Sequence, residues 1–277
     1  MTTINASTIV CGVIGNPIEH SISPAMHNAG YAKLGINFCY LAFRVDEANV
    51  GDAIRGMRAL NIRGLSVTIP HKVQAMEFLD KIDPVAKQIG AINTIVNTNG
   101  TLKGYNTDWI GCMQAIEDKT SIQGKKVVLL GTGGAGRAIA FGLQQKGANV
   151  ALTGRNAEKA KALASRCNAT YFDVNTLQEA LKDADVLIHT TPMGMPPNEG
   201  ISLVEKKWLH PKLVVHDIVF NPLETQLIKD AKSAGCETVY GYKMLLYQGV
   251  EQFRLYTGVE APIEVMEQAL IDIVNNT

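Results

Sequence analysis

Short β-branched runs alternate with longer amphipathic stretches along most of the chain. Strand-like runs fall at 8–15, 38–45, 64–69 and 91–97, then at 126–131, 149–154, 185–191, 213–219 and 236–241. Between them lie helix-length segments such as SPAMHNAGYAKLG, DEANVGDAIRGMRAL, NAEKAKALASRC and ETQLIKDAKSAG. Strands that alternate with helical patterns predict βαβ units and largely parallel sheets, an α/β fold. INTIVNTNGTLKGYN breaks the pattern, because Asn99-Gly100 between two apolar pieces predicts an antiparallel hairpin. The tail, 243–258 and 261–274, reads as two amphipathic helices. Its periodicity fits either a cap on the last strands or a return to the first ones.

A chain of 277 residues suits about two domains. The polar stretch EDKTSIQGKK separates a helical pattern from a very apolar strand. We expect one domain over 1–112, a second over 113–242, and the helical tail 243–277 beyond. The 26 basic and 26 acidic residues cancel. A neutral chain has no general electrostatic reason to seek nucleic acid or an anionic membrane, so neither is expected as a partner. The five cysteines are scattered, with no C-x-x-C pair. That spacing disfavours a disulfide framework and a cysteine zinc site, and suits a reducing compartment. With no basic signal-peptide start and no apolar run of about 18 residues, a cytoplasmic location is expected.

KVVLLGTGGAGRAIAFGL carries the sharpest local signal. Gly131, Gly133 and Gly136 satisfy G-x-G-x-x-G where a strand gives way to a helix. The first glycine allows the tight turn, the second lets a pyrophosphate approach bare backbone, and the third brings helix and strand together. The helix N-terminus then faces the anion. An NAD site usually places Asp or Glu about twenty residues after the first glycine. Here that place reads Thr153-Gly154-Arg155-Asn156, with Lys159 one turn on. An arginine fork backed by a lysine suits a ribose 2′-phosphate, so NADP is favoured over NAD.

The first domain gathers polar residues after its strands, where open α/β sheets bind ligands. Ser21 and Ser23 precede and open a helix at Pro24. Two hydroxyls beside a helix N-terminus can receive a carboxylate, although on that segment alone capping is the simpler role. SVTIPHK brings Lys72 to the edge of a sheet, GAINT supplies Asn93, and GYNTDW supplies Asn106 and Asp108 at a helix entrance. Hydride transfer at an alcohol needs a group that takes and returns the hydroxyl proton. A lysine governed by a nearby carboxylate can do so. A solvated Lys72 and an ordinary helix-capping Asp108 are the plainer alternatives.

At these residues the chain resembles the shikimate dehydrogenases and their quinate/shikimate relatives. The resemblance runs from about residue 12 to 250 through GNPIEHSISPAMHN, SVTIPHK, GAINT, NTD, GTGGAGRA, TTPMGM, DIVFNP and GYKMLLYQG, in order. It implies an N-terminal α/β substrate-binding domain, a Rossmann-type NADP-binding domain, and C-terminal helices that pack back toward the first domain. The implied activity is the reversible NADPH-dependent reduction of 3-dehydroshikimate to shikimate in aromatic amino-acid biosynthesis. Ser21 and Ser23 would bind the substrate carboxylate, and Thr68, Asn93, Asp108 and Gln248 its ring hydroxyls. Lys72, paired with Asp108, would move the proton. Gly131, Thr132, Gly133, Gly134 and Ala135 would cradle the cofactor phosphates, and Arg155, Asn156 and Lys159 would lie at its 2′-phosphate. Thr191, Met193, Ile218 and Gly241 would line its adenine and nicotinamide portions.

The chain departs from that pattern in places. Ser66 stands where the family commonly has Asn, leaving one hydroxyl as its expected substrate contact. Phe220, also expected at the substrate, stands where Tyr is frequent. Gly154-Arg155-Asn156 replaces Asn-Arg-Thr, keeping the arginine. His189 replaces a frequent Asn and reads as a satisfied strand-end histidine without chemistry. A quinate or dual quinate/shikimate dehydrogenase using NAD(P) is the nearest alternative activity. A regulator that only binds shikimate or NADP is a further one, disfavoured by retention of Lys72 and Asp108. A metal-dependent hydrolase finds no ligands, since His20, His27, His71, His189, His210 and His216 form no H-x-x-x-H or His/Cys cluster. The expected partner is the small-molecule substrate, and a homodimer is compatible with the chain.

Overall fold

The computed structural model describes residues 4–275. Its elements, in chain order, are β1 (Ile9–Gly15), α1 (Ser23–Leu34), β2 (Phe38–Arg44), α2 (Val50–Ala59), β3 (Gly64–Val67), β4 (Lys81–Ile82), α3 (Pro84–Ile89), β5 (Thr94–Thr98) and β6 (Thr101–Tyr105). There follow α4 (Asp108–Glu117), β7 (Lys126–Leu130), α5 (Gly134–Gln145), β8 (Asn149–Thr153), α6 (Ala157–Arg166), β9 (Thr170–Tyr171) and α7 (Leu177–Leu181). The last are β10 (Val186–His189), β11 (Val214–Asp217), α8 (Gln226–Ser233), β12 (Glu237–Val239), α9 (Gly241–Thr257) and α10 (Ile263–Val274).

The chain forms two compact units, one from the residues up to Thr107 with Gln248–Ile273, the other from Asp108–Tyr247 with Val274. The divisions fall five residues before the expected 112/113 boundary and five after 242/243. Packing explains both shifts. Helix α4 buries Cys112, Met113 and Ile116 in the core of the second unit, and so belongs to it from its first residue. Met244 and Tyr247, in the first turns of α9, pack against that same core.

The first unit holds a mixed six-stranded sheet in the order β2-β1-β3-β5-β6-β4. β1 pairs in parallel with β2 and β3, whereas β5 runs antiparallel to both β3 and β6. The reversal at β5–β6 is the expected hairpin. Asn99 and Gly100 take φ of 51° and 83°, the left-handed pair that a tight hairpin turn requires. One face of the sheet carries an aliphatic core that includes Ile14, Ile54, Met57, Leu65, Val67 and Ile95. An aromatic group from α1, β2 and α9 also packs within this unit. The His27 ring stacks on Tyr40 at 4.2 Å, and Tyr31 meets Phe253 at 5.0 Å.

Gly64 sits where β3 meets that aromatic group. A Cβ there would lie 2.2 Å from the Tyr256 ring, a rigid neighbour with no flexible end to yield. We expect Gly64→Ala to lower stability by about 1–3 kcal/mol, read as a shift in the urea midpoint at unchanged m-value.

The second unit holds a fully parallel sheet in the order β12-β11-β10-β7-β8-β9, with the strand order reversing between β10 and β8 around β7. Its central strands read as continuous apolar runs because both faces are covered. Val127 and Leu129 of β7 enter one core with Ile139 and Leu143 of α5. Val128 and Leu130 enter another with Leu181, Leu213 and Leu227. This is the Rossmann arrangement, with α/β layers on both faces of the sheet. Among the described residues, no helix is long and apolar enough to cross a membrane. All five cysteines are buried and free, and burial pushes the Cys11 thiol up to about 12.

Candidate active site

In the first unit, the loop after β1 leads into α1 with Pro24 in its first turn. The residue preceding the helix is Ile22, which makes no side-chain cap. Capping, the simpler role for Ser21 and Ser23, is therefore not what their hydroxyls do. Ser23 is buried and Ser21 half-buried, beside the first-turn amides that an anion can use.

β3 ends at Val67, and the Thr68 amide extends its pairing by donating to the Ile14 carbonyl at 3.0 Å. The His71 amide donates back to the Thr68 carbonyl, and the His71 ring meets the Val45 carbonyl at 2.6 Å. This turn fixes the backbone of Lys72, whose carbonyl accepts from the Ile92 amide at 2.9 Å. Lys72, half-buried, is thereby held beside the strand that leads to Asn93. Asn93, itself 2 % exposed, accepts from the Thr107 amide at 2.7 Å and donates to Thr107 Oγ1 at 2.9 Å and Gln248 Oε1 at 3.3 Å. Asn106 turns inward, donating to the Ala91 carbonyl at 3.0 Å. Asn93 and Gln248, 155 residues apart, are thus brought together within one unit.

Ser66 departs from its expected role. Its hydroxyl accepts from Tyr40 Oη at 2.6 Å, donates to Gln252 Oε1 at 2.8 Å and lies 3.0 Å from Tyr256 Oη. A hydroxyl has one donor and two acceptor sites, and these partners take all three. The serine at this position is committed inside the protein rather than toward a ligand.

In the second unit, Gly131 takes φ of 113°, and a Cβ there would lie 2.4 Å from Thr190 Oγ1. Gly136 comes equally close to the Gly131 carbonyl, so helix and strand meet without side chains between them. Gly133 is exposed with open space above it, immediately before the first turn of α5. Bare backbone, open volume and helix-terminal amides fit a dinucleotide pyrophosphate. Arg155 and Lys159 are exposed at the tip of β8 and the start of α6, and neither forms an ion pair among the described residues. The one nearby acid, Glu158, lies 3.3 Å from Lys161. That charge pattern fits a 2′-phosphate. Asn156 is occupied otherwise, since its Oδ1 caps α6 by accepting from the Lys159 amide at 2.9 Å.

Thr191 and Met193 follow β10, and Ile218 and Phe220 follow β11, all half-buried at the same end of the parallel sheet. Gly241 approaches the Ile218 and Val219 carbonyls so closely that a Cβ would lie 2.4–2.5 Å from them. His189 Nδ1 lies 2.9 Å from Asp217 Oδ1 and its Nε2 lies 2.5 Å from Thr191 Oγ1, so the ring is satisfied on both sides. Asp217 also accepts from Thr225 Oγ1 at 2.6 Å. This chain of bonds pins Thr191, the second residue of the TTPMGM motif. Asp108 is the first residue of α4 and is buried.

Three family models match the chain in succession: the shikimate dehydrogenase substrate binding domain over 13–95, shikimate / quinate 5-dehydrogenase over 114–205, and the shikimate 5'-dehydrogenase C-terminal domain over 241–271. The shikimate dehydrogenase (NADP(+)) of Methanobrevibacter smithii is 47% identical over 276 residues, covering 96% of this chain and 98% of the relative. The chain belongs to the shikimate dehydrogenase family. A crystal structure of a shikimate dehydrogenase in complex with NADP+ superposes with a TM-score of 0.94 at 42% identity, covering 99% of this chain and 98% of that one. The Thermus thermophilus enzyme in complex with NADP(H) and shikimate gives 0.90 at 31% identity, covering 96% and 99%. Within a shikimate dehydrogenase fold, the expected residues Asn93 and Gln248 form one cluster and the glycine turn with Arg155 forms another. Gln252, Thr94, Tyr40 and Tyr256 were not singled out from the sequence. The available signal was the spacing of Gln248 and Gln252, four apart and so on one helical face.

Proposed function

We propose that this chain is an NADP-dependent shikimate dehydrogenase that reversibly reduces 3-dehydroshikimate to shikimate, a step in aromatic amino-acid biosynthesis. The observation that carries this reading is the near-full-length similarity to relatives of that name. NADPH, when bound, supplies the hydride. Lys72 gives its Nζ proton to the carbonyl oxygen during reduction and takes it back during oxidation. Asp108 is the carboxylate of this acid–base pair and governs the charge on the amine. Ser21 and Ser23, beside the α1 amides, hold the substrate carboxylate. Thr68, Asn93 and Gln248, with Asp108, meet its ring hydroxyls, and Phe220 offers an apolar surface.

On the cofactor side, Gly131 through Ala135 leave the phosphates in contact with backbone amides, and Arg155 with Lys159 neutralises the 2′-phosphate. Thr191, Met193, Ile218 and Gly241 line the remainder. Five buried thiols suit the reducing cytoplasm, and the reading is compatible with a homodimer.

Initial rates of cofactor reduction with shikimate and with quinate, each against NADP and NAD, test the proposal directly. Shikimate with NADP is expected to be fastest, and a faster rate with quinate and NAD would overturn it. Arg155→Ala is expected to raise KM for NADP about tenfold or more, because a charge-assisted phosphate contact is lost, while KM for NAD stays near its original value. Equal increases for both cofactors would remove the 2′-phosphate role.

A further inference from the structure

We propose that Gln252 is a positioning residue for substrate recognition: it sets the donor and acceptor sense of the Asn93 and Gln248 carboxamides, and Ser66 acts on the substrate only through it. The inference rests on the reading above for the roles of Asn93 and Gln248, and goes beyond it in assigning Gln252 and reassigning Ser66.

Two backbone groups fix the sense of the whole network. The Asn93 carbonyl can only accept, so the Gln252 atom 3.2 Å from it is the donor Nε2. The other end of that amide, Oε1, then faces Ser66 at 2.8 Å and obliges the serine to donate. Gln252 Nε2 also donates to Thr94 Oγ1 at 3.0 Å, which leaves the Thr94 proton to go to Asn93 Oδ1 at 2.8 Å. At the far end the Thr107 amide can only donate, and it meets the same Asn93 oxygen at 2.7 Å. Asn93 Nδ2 is therefore turned toward Gln248, whose Oε1 accepts from it at 3.3 Å. The Gln248 amide nitrogen consequently faces away from Asn93 as a donor, suited to the oxygen of a ring hydroxyl.

Gln252 is 1 % exposed and so exchanges none of these bonds with water. Amide orientation in such a closed network is set by its fixed members rather than by solvent. Losing the Gln252 donor frees the Thr94 proton to turn elsewhere, and Asn93 Oδ1 is left with its Thr107 contacts alone.

The experiment is a double-mutant cycle read by calorimetric shikimate binding to the full chain, with NADP binding measured alongside. Gln252→Met keeps the volume and removes both polar ends. It is expected to raise the shikimate Kd about tenfold, the scale of a lost buried hydrogen bond with its unsatisfied partners, with NADP Kd unchanged. Ser66→Ala is expected to raise the shikimate Kd in the wild-type background and to add nothing in the Gln252→Met background. Equal increases in both backgrounds would show that Ser66 touches the substrate itself and would overturn the proposal. An unchanged shikimate Kd in Gln252→Met would do the same. Should that variant fail to fold, Thr94→Val removes only the relay hydroxyl and carries the same expectations. Absence of shikimate binding by the wild-type protein would overturn the functional reading as well, and so is distinguishable from failure of this inference alone.

Discussion

Lys72→Ala is expected to lower kcat for shikimate oxidation by roughly 10²–10⁴-fold, the usual contribution of a positioned acid–base group. Shikimate binding measured without turnover should stay within a few-fold of wild type. Binding falls to Ser21, Ser23, Thr68, Asn93 and Gln248, whereas Lys72 is asked to move a proton. The local geometry supports this separation. The Lys72 backbone is tied by its carbonyl to the Ile92 amide, independently of its side chain, so truncation leaves the turn and Asn93 in place. A variant retaining a tenth or more of wild-type kcat would refute the proton-transfer role. Loss of binding equal to the loss of turnover would make Lys72 a substrate anchor instead.

The second large effect concerns stability and arises from His27. The imidazole is fully buried with no ring nitrogen in good hydrogen-bond geometry, and burial lowers its pKa to about 3 against a smaller opposing pull from the nearby Gln252 carboxamide. In the unfolded chain the ring titrates at about 6.5. Above that pH it is neutral in both states and its titration contributes nothing. Below it the unfolded state binds a proton that the folded state refuses, so stability falls by about 1.4 kcal/mol per pH unit until the folded ring itself titrates. His216, also buried with a lowered pKa, adds to the same trend. Asp80 and Asp185, held below the ordinary carboxylate range first by backbone hydrogen bonds from Leu102 and Lys126, contribute at lower pH. His27→Phe keeps a ring against Tyr40 and removes only the first of these contributions. Urea unfolding at pH 7 and pH 4.5 should therefore show the wild type losing about 3 kcal/mol more than the variant. Identical losses would show that His27 is protonated in the folded protein.

Much of the fold was legible because it is written in local periods. The strands leading to the glycine turn, Lys72 and Asn93 are all apolar runs flanked by turn residues, and the Asn99-Gly100 hairpin follows from two backbone conformations. β4 and β9, two residues each, and α3 and α7, six and five residues, are too short to show any period and were not anticipated. At the site, residue types and spacing were informative about candidates but not about orientation. Ser66 is the clearest case, since its partners Gln252 and Tyr256 lie 186 and 190 residues away along the chain. No motif records that the hydroxyl is already spent. The capping expectation for Ser21 and Ser23 erred differently, because serines one and three residues before a proline fit a cap and a ligand loop equally well until the helix start is known.

The first unit is discontinuous: its strands come from the beginning of the chain, but Gln248, Gln252, Phe253 and Tyr256 come from α9. During synthesis the segment that precedes the Rossmann sheet must therefore wait, its polar strand ends and its Gly64 notch unfilled, while that entire sheet is translated. Domains made in sequence ordinarily mature from the N-terminus onward. Here the order of completion is inverted, and of the two units the one begun sooner is the one a nascent-chain chaperone would have to shield longer.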